Sequence, residues 1–155
     1  MTNLHNSLVE KGLIKSVYVD HRKLFEVTQK GKEVASIPVP KQKTRGGVQH
    51  TYWIKQIVQF LKKLELQPVC EVDGIDIVDR NRGIAIEIET GKSDMYGNFM
   101  KLKNSQYSNR YMIATNKDVE LKLKAITKDD HSIQIFFAKD FLQLTKEELT
   151  SQTSP

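Results

Sequence analysis

Ile75-Asp76-Ile77-Val78-Asp79-Arg80-Asn81-Arg82-Gly83-Ile84-Ala85-Ile86-Glu87-Ile88-Glu89 decides how this chain folds. Two runs rich in isoleucine flank the turn-forming cluster Arg80–Gly83, so the stretch reads as two antiparallel strands. Alternation along the second run puts Ile84, Ile86 and Ile88 on one face, and Ala85, Glu87 and Glu89 on the other. The isoleucine face is the buried one. With Arg80–Gly83 as a four-residue loop, Asp79 pairs with Ile84. The same register sets Asp76 opposite Glu87, with Cβ atoms roughly 4.5–5.5 Å apart. Like charges placed opposite each other destabilise a sheet, so this pair needs a compensating partner. A divalent cation supplies one, because hard Mg²⁺ takes carboxylate oxygens and water. Glu89 follows on the same face, in reach of the same ion or of an attacking water. A solvated sheet face bearing three ordinary acids is the plain alternative.

Working outward, His50–Leu64 carries Trp53, Ile54, Ile57, Val58, Phe60, Leu61 and Leu64 at three- and four-residue spacing, which predicts an amphipathic helix. His50 falls on its inward face with Ile54, Ile57 and Leu61. Val69–Val72 predicts a strand before the central hairpin. After it come a helix over 94–106 burying Met95, Phe99 and Leu102, a strand over Tyr111–Thr115, a helix over Val119–Ile126 and a strand over Ser132–Ala138. Thr145-Lys146-Glu147-Glu148 has capping-box spacing for a short terminal helix, and Ser151–Pro155 reads as a frayed tail. Hairpin connections first and crossover helices later predict an α/β sandwich with a mixed sheet. Upstream, residues 3–11 predict a short helix, Val17–Val19 and Lys23–Val27 a hairpin turning at Asp20-His21-Arg22, and Thr28–Glu33 a helical turn. The organisation expected is an N-terminal segment over 1–40, a linker over 41–47 and a larger domain over 48–150.

The chain has 155 residues, 39% of them hydrophobic, and a single cysteine. That content supports a core, and one cysteine excludes both an internal disulfide and a cysteine-rich zinc site. No apolar run approaches the roughly 18 residues of a membrane span, and no basic-then-apolar leader opens the chain. A cytoplasmic protein away from membranes is the expectation. The net charge of +5 is unevenly placed: residues 1–47 carry nine basic side chains against four acidic ones, and the remainder carries 15 of each. A polyanion would therefore meet the first third of the chain.

Asp76-(x)10-Glu87-x-Glu89 on adjacent strands after a long helix resembles the PD-(D/E)xK nuclease superfamily. Gly47-(x)2-His50-(x)2-Trp53, Gly74-Ile75-Asp76-Ile77-Val78 and Ile84-Ala85-Ile86-Glu87-Ile88-Glu89-Thr90-Gly91 look like a branch related to Holliday-junction resolvases. The resemblance covers roughly residues 46–115. It implies a restriction-endonuclease-like fold, a mixed central sheet flanked by helices. It also implies hydrolysis of DNA phosphodiester bonds with Mg²⁺ (or Mn²⁺) held by Asp76 and Glu87, and a homodimer. The motif's lysine position is Glu89, which would add a third metal ligand. Lys101 is the leading candidate for a migrated lysine, by the family-like Asn98-(x)2-Lys101 spacing, ahead of Lys92 and Lys103. Gln106 stands where related nucleases often carry a helix glutamine, His50 at the motif histidine, and Glu71 is a weaker acidic candidate. Loss of the lysine also occurs in inactive relatives, so a DNA-binding or regulatory protein that kept the fold is the alternative.

Two other motifs fail. Gly91-Lys92-Ser93 copies the end of a P-loop, but the earlier glycine would fall at Ile86. Cys70, set in a strand, reads as a core residue rather than a nucleophile. In the first third, Leu8–Ile14, the hairpin and Phe25–Glu33 resemble the back half of a winged-helix domain, without the two helices that would precede it.

Overall fold

The computed structural model describes residues 3–36, 46–128 and 130–151. Contacts divide the chain into two units, Met1–Tyr52 and Trp53–Pro155. Of the expected linker, 41–45 lies outside the described residues, as does the tail beyond Ser151.

The N-terminal unit runs α1 (Asn3–Glu10), β1 (Ile14–Val19), β2 (Arg22–Val27), α2 (Gln29–Val34) and the first turn of α3 (Val48–Lys63). The hairpin is tighter than expected. Val19 pairs with Arg22, so only Asp20 and His21 turn the chain, at φ 48° and 60°. Two successive positive φ values make a type I′ turn, whose twist matches that of paired strands. That match lets pairing extend back to Ile14. Thr28 caps α2 by accepting from Gly31 N at 3.0 Å, and its hydroxyl donates to Gly12 O at 2.6 Å. A Cβ on Gly31 would lie 2.1 Å from Leu13 O, so only glycine permits this approach.

In the C-terminal unit the sheet order is β3 (Val69–Val72), β4 (Ile75–Asp79), β5 (Ile84–Glu89), β6 (Asn109–Ala114), β7 (Gln134–Phe137). The β3–β4 and β4–β5 pairs are antiparallel; β5–β6 and β6–β7 are parallel. The parallel pairs require crossovers, made by α4 (Met95–Lys103) and α5 (Lys117–Ile126). The short helices α6 (Ala138–Phe141) and α7 (Lys146–Thr150) close the chain, and Thr145 and Glu148 form the expected capping box. An α/β architecture with a five-stranded mixed sheet flanked by helices is thus observed. No helix among the described residues is long and apolar enough to cross a membrane.

The expected register holds: Asp79 pairs with Ile84, Val78 with Ala85 and Ile77 with Ile86. Both faces of β5 are buried along its whole length. On the isoleucine side, Tyr111, opposite Ile86, packs its ring on Phe141 at 5.5 Å, and Phe141 meets Phe60 of α3. On the other side, Ala85 and Met112 lie in one apolar cluster with Phe99 and Leu102 of α4 and with Leu123 of α5. Each fully buried Ile or Leu here contributes roughly 1.5–3 kcal/mol. The acid-bearing face is therefore covered, not solvated. Three smaller differences accompany this. Asn104 caps α4, so that helix ends before Gln106. Asn109 Nδ2 donates to Arg82 O, and β6 starts earlier than Tyr111. Cys70 is exposed rather than in the core, because β3 is an edge strand with little covering it.

The β4–β5 turn hangs on Asp79, 1% exposed, whose carboxylate accepts from Gln67 N at 2.7 Å and Arg82 N at 3.1 Å. Asp79→Ala strands two backbone donors. It is expected to cost about 2–4 kcal/mol in urea unfolding, summing two modest losses; an unchanged midpoint would show that water replaces the carboxylate at no cost.

Candidate functional site

The central hairpin and α4 bring Asp76, Glu87, Glu89 and Lys101 together. All three carboxylates are buried, at 8%, 2% and 0% exposure. Asp76 Oδ2 accepts from Ile88 N at 2.8 Å, so this carboxylate takes a backbone donor of the neighbouring strand. The antiparallel register, continued one step past the Ile77–Ile86 pair, sets Asp76 against Glu87.

Lys101 enters from α4 and joins three elements. Its Nζ lies 2.6 Å from Glu87 Oε1 and donates to Gly74 O at 2.7 Å and Asn98 Oδ1 at 3.0 Å. The contact with Glu87 is close but outside hydrogen-bonding directions, leaving Oε1 buried without a directed donor. The β3–β4 turn presents the Gly74 carbonyl: Asp73 and Gly74, at φ 56° and 76°, form another two-residue type I′ loop between Val72 and Ile75.

Glu89 is held differently. Asn98 Nδ2 donates to its Oε1 at 2.7 Å, and Ser93 Oγ donates to its Oε2. Asn98 therefore serves two charges at once, giving its amide to Glu89 and its carbonyl to Lys101. Neither Asn98 nor Ser93 was singled out as a site residue from the sequence. The available signal was the i, i+3 placement of Asn98 and Lys101 on one helix face.

Burial, then the Asp76 charge, pushes the Glu87 carboxyl up to about 8, against the pull of Lys101. Burial also raises Glu89, with Ser93 and Asn98 opposing it. Cys70 is likewise raised, by partial burial and then by Glu71 and Asp76, which disfavours its thiolate.

The remaining candidates stand as follows. Lys103 pairs with Asp130 at 2.6 Å and lies over the Phe99 ring. Lys92 is exposed past the end of β5, and Glu71 is exposed on β3 at φ 56°. A cavity of about 350 Å³ opens beside Lys101, lined by Asp73, Ile75, Lys101, Ser105, Gln106 and Tyr107. This places Gln106 at the same cavity as Lys101. His50 belongs to the N-terminal unit, buried on the first turn of α3; a Cβ on Gly46 would come within 2.5 Å of its ring.

No protein-family model, curated protein or solved structure matches the chain. Its chemistry has to be read from the cluster itself. Among the described residues, no group of three His, Cys, Asp or Glu is arranged to hold a metal ion. The donor chemistry nevertheless fits a hard cation: two carboxylates that repel one another, and a buried Glu87 oxygen lacking a directed donor.

Because the Glu87 value is raised on folding, its contribution to stability is complete in acid and is lost as pH rises through about 8. Melting temperature in metal-free buffer should fall between about pH 5 and pH 8, and Glu87→Gln should flatten that fall. Equal slopes for the two proteins would show that Lys101 keeps Glu87 ionised throughout.

Proposed function

We propose that the C-terminal unit is a metal-dependent nuclease of restriction-endonuclease-like fold that hydrolyses DNA phosphodiester bonds. The observation carrying this reading is the buried Glu87 oxygen beside Asp76, in contact with the Lys101 ammonium. Asp76 and Glu87 would hold Mg²⁺ or Mn²⁺, with Glu89 as the third acid. A bound ion there supplies charge neutralisation at the phosphate and a more acidic water. The chain's own groups do the rest. Lys101 offers a positive charge for a phosphate oxygen, and Asn98 and the Gly74 carbonyl fix its direction. Ser93 and Asn98 hold the Glu89 carboxylate in one orientation. Covering by α4 keeps the site at low dielectric, where each of these charges acts more strongly. The basic excess of residues 1–47 supports a polyanionic partner, and the homodimer implied by the resemblance belongs to the same reading.

One observation favours the alternative of an inert protein that kept the fold. Lys101 already contacts Glu87, and both Glu89 oxygens have donors, so much of the cluster is answered without an ion.

Calorimetric titration with Mg²⁺ and Mn²⁺, followed by DNA cleavage assays, separates the two. Binding at millimolar concentration or tighter, lost in Glu87→Ala, is expected from the nuclease. Lys101→Met should then lower kcat about 10²–10³-fold with the ion still bound. No ion binding at millimolar concentration would sink the proposal in favour of the inert reading, and undiminished cleavage by Glu87→Ala would sink it by taking the chemistry away from this cluster.

A further inference from the structure

The β1–β2 hairpin carries aromatic and basic groups in an order that the acid cluster does not use. The register pairs Tyr18 with Lys23 and Ser16 with Phe25, so Tyr18, Lys23 and Phe25 share one face of the hairpin. Lys23 Nζ lies 5.8 Å from the Tyr18 ring centre and 5.7 Å from that of Phe25. His5 of α1 stacks on Phe25, rings 4.7 Å apart and 5° from parallel. The row thus runs from a covered end at His5 and Phe25, through a cation, to an open end at Tyr18. Tyr18 is 68% exposed, among the most exposed large hydrophobic side chains of the described residues. Beyond it the tip presents exposed His21 and Arg22. Asp20, the tip's carboxylate, accepts from Tyr52 Oη at 3.3 Å.

A lone exposed tyrosine is ordinary on a protein surface. A tyrosine at the open end of an ordered aromatic row, with lysine beside it, meets two demands together. It gives a flat π surface for a base and a cation for a phosphate, the pairing that single-stranded polynucleotides require. A duplex stacks its bases internally and offers the ring nothing. We propose that this hairpin face binds single-stranded polynucleotide, with a base stacked on Tyr18 and a phosphate on Lys23. The site is separate from the acid cluster and does not rest on the nuclease reading.

The test is fluorescence anisotropy of the full chain with labelled oligo-dT, oligo-U and a duplex of equal length, in EDTA so that metal-dependent cleavage cannot intervene. Tighter binding of either single strand than of the duplex is expected, and the two strands report which sugar is preferred. Tyr18→Ala should weaken single-strand binding about tenfold and leave duplex binding unchanged, whereas Tyr18→Phe should keep it. Lys23→Gln should reduce the slope of log K against log salt by about 0.7. Circular dichroism on each variant checks that the hairpin persists. Equal single-strand binding by wild type and Tyr18→Ala, or a duplex bound as tightly as both single strands, overturns the proposal. Either result leaves the nuclease reading where metal titration puts it.

Discussion

A carboxylate removed from water must be paired, hydrogen-bonded or protonated, and this sheet buries three beneath one helix. Lys101 answers part of that demand. One ammonium contacts Glu87, the Gly74 carbonyl and the Asn98 amide, and so ties β5, the β3–β4 turn and α4 together. The acid face could not be covered by Phe99 and Leu102 if those charges were left unanswered. The polar cluster and the apolar cluster on that face are therefore one construction, with α4 contributing to both.

The cluster is also unevenly satisfied. Asp76 takes a backbone donor and Glu89 takes two side-chain donors, while Glu87 Oε1 has a single, poorly aligned contact with Lys101 and its carboxyl carries the large upward shift. Structural ion-pair networks shift carboxyl groups too, so a shift alone does not mark chemistry. Here it coincides with the residue whose oxygen lacks a directed donor, and with a cavity beside its lysine. That coincidence makes Glu87 the place where an ion or a proton has most to gain.

Much of this was legible from residue order. Alternation and a four-residue turn were enough to derive the Asp79–Ile84 register, because strand periodicity leaves only two choices of face. The resemblance, through its family-like Asn98-(x)2-Lys101 spacing, put Lys101 ahead of Lys92 and Lys103, without saying which acid it meets. Ser93 was not legible as a donor to Glu89, since it precedes α4 and its direction depends on how that helix docks. Cys70 was misplaced in the core because a strand-like run does not reveal whether another strand or solvent lies beside it. The early start of β6 depends on the Asn109 hydrogen bond to Arg82 O, a contact across 27 positions of sequence.

The sequence by itself determined the strands, the long helix, the order of hairpins before crossovers, and the placing of three acids on one face. These follow from periodicity, turn residues and arithmetic along the chain, all of them local. Only the tertiary structure decided that the acid face is covered, that Lys101 rather than Lys92 or Lys103 meets Glu87, and that Asn98 joins two charges. Burial and pairing depend on how distant segments pack, and the electrostatics follow from that packing because removing water multiplies the strength of every charge involved.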